Sequence, residues 1–328
     1  MQRLLVAALL GLGLVTAASP SVSADATQRS REILKGYARL RQTDPQAAWE
    51  RYLSPNLIQH NPEIAEGPEA HARFMAARQA AHPDKYLAPQ QYANVVDNLL
   101  ADGDLVAIKS RLYTAPSDKG RAFVDIWRVE RGRLVEHWDV IQPIPDSPVN
   151  PASMGCGEAR TYAEALKAGD TVAHPTCGPD GDPALRRRSL AVVKAYLAMG
   201  QEPGRGVEAV RTFLADDFIQ HSQHIAPGKA GMEAYIAARA ASGGAKGRVS
   251  HTARILADGD LVLVHRWVTT PDDPRGKAYA DLFRVRGGKV VEHWDVIQPI
   301  PPFSVAGHGM VMGPLEPTRT AGSPPAAP

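Results

Sequence analysis

Val135-Glu136-His137-Trp138-Asp139-Val140-Ile141-Gln142-Pro143-Ile144-Pro145 occurs twice in this chain, returning unchanged as Val291 to Pro301. At the same spacing, Leu100-Ala101-Asp102-Gly103-Asp104-Leu105-Val106 returns as Leu256 to Val262, and Asp125-Ile126-Trp127-Arg128-Val129 as Asp281-Leu282-Phe283-Arg284-Val285. Ile58-Gln59-His60 matches Ile219-Gln220-His221 slightly out of that register, so copy one holds a short insertion, expected around Pro83 to Gln91. A repeat this long is a whole domain, not a solenoid unit.

Each copy has the same order of elements. Ile33, Leu34, Tyr37 and Leu40 recur with helical spacing, and a second helix carries Trp49, Tyr52 and Leu53 until Pro55, which lacks an N–H, ends it. A third helix runs from about Gly67 to Ala81. Copy two repeats this with Leu190, Val193 and Leu197, then Val210, Phe213 and Leu214, then Lys229 to Ala241. Asp102-Gly103, Arg131-Gly132, Asp258-Gly259 and Gly287-Gly288 each sit between β-rich runs, the signal of tight hairpins. The pattern predicts an α+β fold twice over: three helices, then about four antiparallel strands, with the helices against one face of a curved sheet. The domains are expected at 25–150 and 181–303, joined by a connector at 151–180. The Gly/Pro-rich stretch 304–328 is expected to be a disordered tail.

The 328 residues include 37 basic and 35 acidic side chains, for a formal charge of +2, with 44% hydrophobic and 22% charged residues. That excludes a collagen-like or wholly disordered chain, and the balanced charge argues against nucleic acid as a partner. Met1 to Ala24 read as a secretory signal: Arg3 is the positive n-region, Leu4 to Ala18 the apolar run, and Val22-Ser23-Ala24 the cleavage pattern. A membrane anchor would need ~20 uninterrupted apolar residues; this run holds Gly11 and Gly13 and stops at Ser19-Pro20. The chain is therefore expected to be secreted or periplasmic, with no membrane partner after processing. Cys156 and Cys177 lie in the Gly/Pro-flanked connector, outside any C-x-x-C pattern. In an oxidising compartment they are expected to form one disulfide, worth ~3 kcal/mol in the chain-entropy model.

Four motifs carry a resemblance: Ile58-Gln59-His60-Asn61-Pro62, Ala101 to Val106, Val124-Asp125-Ile126-Trp127-Arg128, and Glu136 to Gln142. Together they resemble the SnoaL-like (polyketide cyclase-like) branch of the nuclear transport factor 2-like superfamily, in both copies from first helix to last strand. The resemblance implies tandem cone-shaped α+β barrels, each with a pocket between sheet and helices. Similar proteins include polyketide cyclases, ketosteroid isomerase, limonene epoxide hydrolase, scytalone dehydratase and binding modules without activity, so the fold names no function. It also implies a working residue at the position of His137 or Asp139, and sheets that pack face to face. An outward Trp138 and Trp294 would form a costly exposed patch, so the copies are expected to bury them in an intramolecular pseudo-dimer. The chain departs from the branch where a His-x-His pair is usual: copy one has Lys109-Ser110-Arg111 and copy two His265-Arg266-Trp267, and Ser222-Gln223 replaces the Asn-Pro after His221.

Strand alternation decides which side chains converge. His137 and Asp139 share the face opposite Glu136 and Trp138; Asp125 and Trp127 share a face taken as inward, subject to the turn at Arg131-Gly132. Copy one then offers His60, Asp125, His137 and Asp139 as a convergent set, with Lys109, Arg111 and Trp127 as substrate contacts. Copy two offers His221, Asp281, His293 and Asp295, with His265 and Trp267. A histidine beside a carboxylate in an apolar cone can move a proton alpha to a carbonyl, or add or remove water, without a cofactor. The same residues also suit a binding module without turnover, or a rigid polar network in a closed core. Two His and two Asp could ligate a divalent ion, but no H-E-x-x-H or C-x-x-C spacing supports one, so neither metal nor cofactor is expected. No G-x-S-x-G elbow occurs, and Gly204-Arg205-Gly206 lacks the strand and third glycine of a dinucleotide fingerprint. The expectation is an exported tandem protein that binds a small, partly apolar organic molecule, with lyase- or isomerase-type acid/base chemistry as its enzymatic form.

Overall fold

The computed structural model describes residues 24–88, 91–156, 161–168, 171–244 and 246–311; the rest of the expected signal segment, 1–23, and the end of the tail lie outside the described residues. Copy one runs α1 (Ala24–Thr43), α2 (Pro45–Tyr52), β1 (Leu53–Gln59), α3 (Pro68–Ala81), β2 (Ala93–Asp102), β3 (Leu105–Tyr113), β4 (Arg121–Glu130) and β5 (Arg133–Pro143). After a short α4 (Tyr162–Lys167), copy two repeats the order as α5 (Pro183–Gln201), α6 (Gly206–Phe213), β6 (Leu214–Gln220), α7 (Gly228–Ala241), β7 (Val249–Asp258), β8 (Leu261–Thr270), β9 (Asp273–Arg286) and β10 (Lys289–Pro299). Local chemistry explains the boundaries. Asp44 caps α2 by accepting from the Ala47 N–H, and Pro45 opens the helix where no N–H is needed. The β4–β5 turn holds Arg131 and Gly132 at φ 51° and 79°, and Gly287-Gly288 meet the same demand in copy two at 56° and 77°.

Each half forms a five-stranded sheet, ordered β1-β5-β4-β3-β2 and β6-β10-β9-β8-β7. Four strands per sheet are the expected antiparallel ones; the fifth, β1 or β6, runs parallel to the last strand. The sequence reading missed it because Pro55 looked like a helix stop. In fact α2 ends at Tyr52, and Pro55 sits on the sheet edge, where the register between Leu53 and Ile58 shifts and a missing N–H breaks no ladder. The helices cover one face of each sheet. In copy one, Leu34 and Tyr37 of α1 join Val96, Leu99, Val106 and Trp127 in one core.

The other faces meet back to back. Trp138, Val140, Ile126 and Val124 of one sheet share a buried cluster with Trp294, Val296, Leu282 and Ala280 of the other. Each tryptophan removes roughly 200 Å² from water, on the order of 5 kcal/mol apiece. The contact is self-complementary, as a two-fold axis requires. The Ile141 N–H donates to Gln298 Oε1 and the Ile297 N–H to Gln142 Oε1, both at 2.8 Å. Arg31 grips Asp258, and Arg186 grips Asp102. The pseudo-dimer is thus formed within one chain.

The segments after β5 and β10 then cross over. The Val149 N–H and the Asn150 side chain donate to carbonyls of Gln223 and Gln220 in copy two. The Val305 N–H donates to Pro62 O in copy one. This corrects the tail expected from 304: Met310 and Val311 are buried in the inter-sheet core, so residues 304–311 are held, and the Gly/Pro content had masked those two apolar anchors. Cys156 and Cys177 are joined as a disulfide. Their backbone N–H groups bond Asp97, the carboxylate and the carbonyl respectively, which ties the connector to β2. Among the described residues no helix is long and apolar enough to cross a membrane.

Trp294→Ala is expected to lower the unfolding free energy in urea by about 3–5 kcal/mol. The double change Trp138→Glu with Trp294→Glu is expected to split one unfolding transition into two; a single unchanged transition would overturn the shared core.

Candidate functional site

Between the helices and the inner face of the first sheet lies a cavity of about 1330 Å³. Its walls are largely apolar and aromatic, with Trp49, Ile64, Phe74, Ile108, Phe123 and Trp127 among them. Alternation aims Asp125 and Trp127 of β4, and His137 and Asp139 of β5, into this space. The parallel strand β1 ends beside them, and its Gln59 sets the proton position on His137. The Asn61 N–H donates to Gln59 Oε1 at 2.8 Å, which fixes that atom as oxygen. His137 Nδ1 lies 3.0 Å from the same oxygen and must therefore carry a hydrogen. His137 Nε2 faces Asp125 Oδ1 at 3.1 Å. A hydrogen bond between the two needs one proton, carried by the ring or by the carboxyl. The ring stacks on Trp127, centroid to centroid 3.9 Å, and Trp127 meets Tyr37 edge-on.

Asp139 is 4% exposed. Asn61 Nδ2 donates to its Oδ2 at 2.7 Å, while its Oδ1 has no partner. Burial pushes the Asp139 carboxyl up to about 6; His137 works against that rise and Asp125 adds to it. On the helix side stand Arg41 of α1 and His71 of α3. Burial, then Arg41 and His137, hold the His71 imidazole down to about 3, so it stays neutral. Two further walls come from unexpected places. The inserted loop supplies Asp84, Lys85 and Tyr86, and copy two supplies Pro299, Pro301 and Phe303. Copy one's hollow is built by both halves.

Several expected site residues lie elsewhere. His60 and His221 are not in the cones, because the residue after Gln59 or Gln220 must face the other way. His60 bonds Glu136 and the Gly309 carbonyl and stacks on Trp138, and His221 does the same with Glu292, Ser153 O and Trp294. They clasp the crossing segments. Lys109 and Arg111 also point outward, alternating with Ile108, Ser110 and Leu112 of the cavity wall. Both are buried against Asp97, so neither is an anion contact for the cone. His265 is buried on the same outer side and accepts from Arg254, whose charge together with burial holds it well below its ordinary value. Trp267 bonds the Arg275 carbonyl and stacks with His251, also outside the cavity.

Copy two keeps the triad but not the space. Gln220, His293 and Asp281 repeat the chain of contacts at 2.9 and 3.2 Å. Its cavity is only about 310 Å³. Arg266 stands where copy one has Ser110 and forks onto Asp281 at 2.6 and 3.0 Å. Burial alone would raise Asp281, but Arg266 and His293 outweigh it and hold the carboxyl well below the usual range. Asp295 accepts from Ser222, and burial pushes it up. Asp125, His137 and Asp139 present possible metal-ligating atoms within 4.8 Å of one another, as do Asp281, His293 and Asp295. In copy two the Arg266 guanidinium already supplies positive charge to that set.

Sequence reading overlooked Gln59, Arg41, His71 and Arg266. Gln59 was legible, since it repeats within the Ile-Gln-His motif and alternation separates it from His60. Arg41 and His71 repeat in neither copy and left no signal.

The profile of the SnoaL-like domain matches residues 34–137 and again 193–293. No curated protein matches the chain. Among solved structures, a Kribbella flavida protein assigned as a ketosteroid isomerase matches at 20% identity, covering 34% of this chain and 79% of its own, with a TM-score of 0.29. A Mesorhizobium loti NTF2-like protein of unknown function matches at 20% identity over 37% of this chain and 96% of its own, TM-score 0.29. An M. tuberculosis LEH-like epoxide hydrolase matches at 17% identity over 34% and 84%, TM-score 0.28.

The raised Asp139 carboxyl has a stability consequence. The folded state binds its proton more tightly than the unfolded chain, so the contribution is present below the unfolded value near 3.8 and lost as pH rises through about 6. At pH 7 this strain amounts to about 3 kcal/mol. Asp139→Asn is expected to be more stable than wild type at pH 7 by up to that amount in urea titrations, with the gain vanishing near pH 4.

Proposed function

The chain belongs to the SnoaL-like domain family, carried twice, and from that premise we propose that the copy-one cone binds a small, partly apolar carbonyl compound and moves protons on it. The observation that carries this reading is a roomy apolar cavity holding a buried carboxylate with one unpartnered oxygen, beside a histidine–aspartate pair in hydrogen-bond contact. Near neutral pH an acid lifted to about 6 is mostly ionised yet binds a proton readily, the balance a general base needs. Asp139 Oδ1 takes the proton alpha to the carbonyl. The His137–Asp125 pair, its ring turned by Gln59, supplies a proton through the more exposed Asp125 carboxyl to a second carbon or to a departing hydroxyl. The proton count balances, and isomerisation, aldol-type closure and dehydration all follow from the same two groups. Binding without turnover would use the same walls.

Copy two serves as scaffold. Its Asp281, the counterpart of Asp125, is closed by Arg266, its pocket is small, and its extension lends Pro299, Pro301 and Phe303 to the working hollow. Export is part of the proposal: Met1 to Ala24 reads as a signal, and the Cys156–Cys177 disulfide suits an oxidising compartment.

Capture of metabolites from cell extract, read by mass spectrometry, tests the assignment. Wild type is expected to retain a discrete apolar carbonyl compound. Ser110→Arg, which copies the copy-two plug into copy one, is expected to lose it at unchanged fold. Asp139→Asn is expected to keep the ligand while solvent-deuterium exchange into it falls at least about 100-fold. Equal capture by Ser110→Arg would refute the pocket; equal absence of exchange in wild type and Asp139→Asn would leave a carrier.

A further inference from the structure

Arg41 stands in the last turn of α1 and lines the cone together with Tyr37, Trp49, His71, Asp125 and His137. Its guanidinium lies 5.9 Å from the centre of the Tyr37 ring and feels the field of Asp125. Lys109 and Arg111 are closed by Asp97, Arg266 by Asp281 and Arg284 by Asp260, while Arg254 is turned to His265 and the Val311 carbonyl outside the cones. Among the described residues no carboxylate makes such an ion pair with Arg41. A partly buried guanidinium hydrogen-bonded to the neutral Tyr37 side chain, with no carboxylate in contact, keeps N–H donors for whatever fills the cavity. It also has no counterpart in copy two. Tyr196 meets Phe283 edge-on as Tyr37 meets Trp127, and one helical turn beyond Tyr196 the chain has Gly200. The pocket of copy two is lined instead by Arg239, Arg248 and Arg266, of which Arg266 is spent on Asp281.

Resting on the reading above, we infer that Arg41 is an oxyanion-binding residue, and that the substrates are carbonyl compounds whose oxygen becomes negative when the α-proton leaves. When Asp139 takes that proton, the C–H electron pair forms the new C=C bond and the carbonyl π pair moves onto oxygen. Negative charge thus passes from the Asp139 carboxylate to the substrate oxygen. A guanidinium already in place, in a site walled by apolar groups, stabilises that charge without reorganising. Reprotonation at carbon by the His137–Asp125 pair clears the charge from the oxygen, Asp139 hands its proton on to that pair, and nothing is consumed. The inference narrows the ligand class: a ring-bearing ketone, aldehyde or thioester with an acidic α-C–H fits, and a simple hydrocarbon or alcohol does not.

The test uses two optical probes on the full chain: 2-cyanonaphthalene, which cannot ionise, and 6-cyano-2-naphthol, whose ionised form absorbs at longer wavelength. Wild type is expected to bind both and to raise the ionised fraction of the naphthol above that in buffer at the same pH. Arg41→Met is expected to bind 2-cyanonaphthalene unchanged, with the bound ionised-to-neutral ratio lowered about tenfold, the effect of one pKa unit. Arg41→Lys, which keeps a charge without the fork, is expected to fall between them. An unchanged ratio in Arg41→Met would overturn the inference, as would loss of 2-cyanonaphthalene by that variant, since Arg41 would then merely prop the cone. Failure of wild type to bind 2-cyanonaphthalene would instead sink the pocket reading on which the inference rests.

Discussion

A strand can offer only every second side chain to a given surface, and in this protein both surfaces of each sheet are spoken for. The outer faces of the two sheets bury Trp138 and Trp294 against each other, so the outward positions must serve the seam. Only the alternate positions remain to face the hollow. That one constraint sorts His137 from Glu136, Gln59 from His60 and Ser110 from Lys109. It also explains why so many polar residues are out of water without touching the cavity: buried Asp97, Lys109, Arg111 and His265 and half-buried His60 belong to the seam and its crossing segments.

The two halves answer the same electrostatic problem differently. Each has a pair of carboxylates around a histidine in a dry place. Copy two settles half of it with Arg266, a short bidentate pair that leaves Asp281 firmly ionised and little space beside it, while burial raises Asp295 as it raises Asp139. Copy one leaves the problem open. Ser110 gives no charge, Arg41 stands off, and Asp139 stays partly proton-bound at the cost of folding stability. Unrelieved strain of this sort collects where a protein works, and the quiet copy supplies a rigid partner that can bear it.

Most of the architecture was legible because duplication prints the same periodicity twice. Helices and hairpins follow from spacing and turn residues, while the outward tryptophans followed from the family resemblance, which put the face of His137 and Asp139 inward. Alternation grouped Asp125 with Trp127 and His137 with Asp139, the resemblance chose the inward face, and the β4–β5 register places the four together on the cavity wall. What escaped had a different physical origin. Strand β1 is short, irregular and parallel, so neither alternation nor a tight turn marks it. Residues 304–311 are poor in pattern and held by two apolar anchors. The placements of His60 and His265 failed because the motif was treated as one cluster, when adjacent residues on an extended chain point apart.

Covalent joining of the copies has its own meaning. In an assembly of two identical chains, every substitution lands in both sites at once, so a plug that stiffens one closes the other. Here a single gene can hold Ser110 in one cone and Arg266 in its twin. Drift in the closed cone is then free to sharpen Phe303 and its neighbours against whatever the open one holds, and ligand preference evolves from outside the domain that does the work.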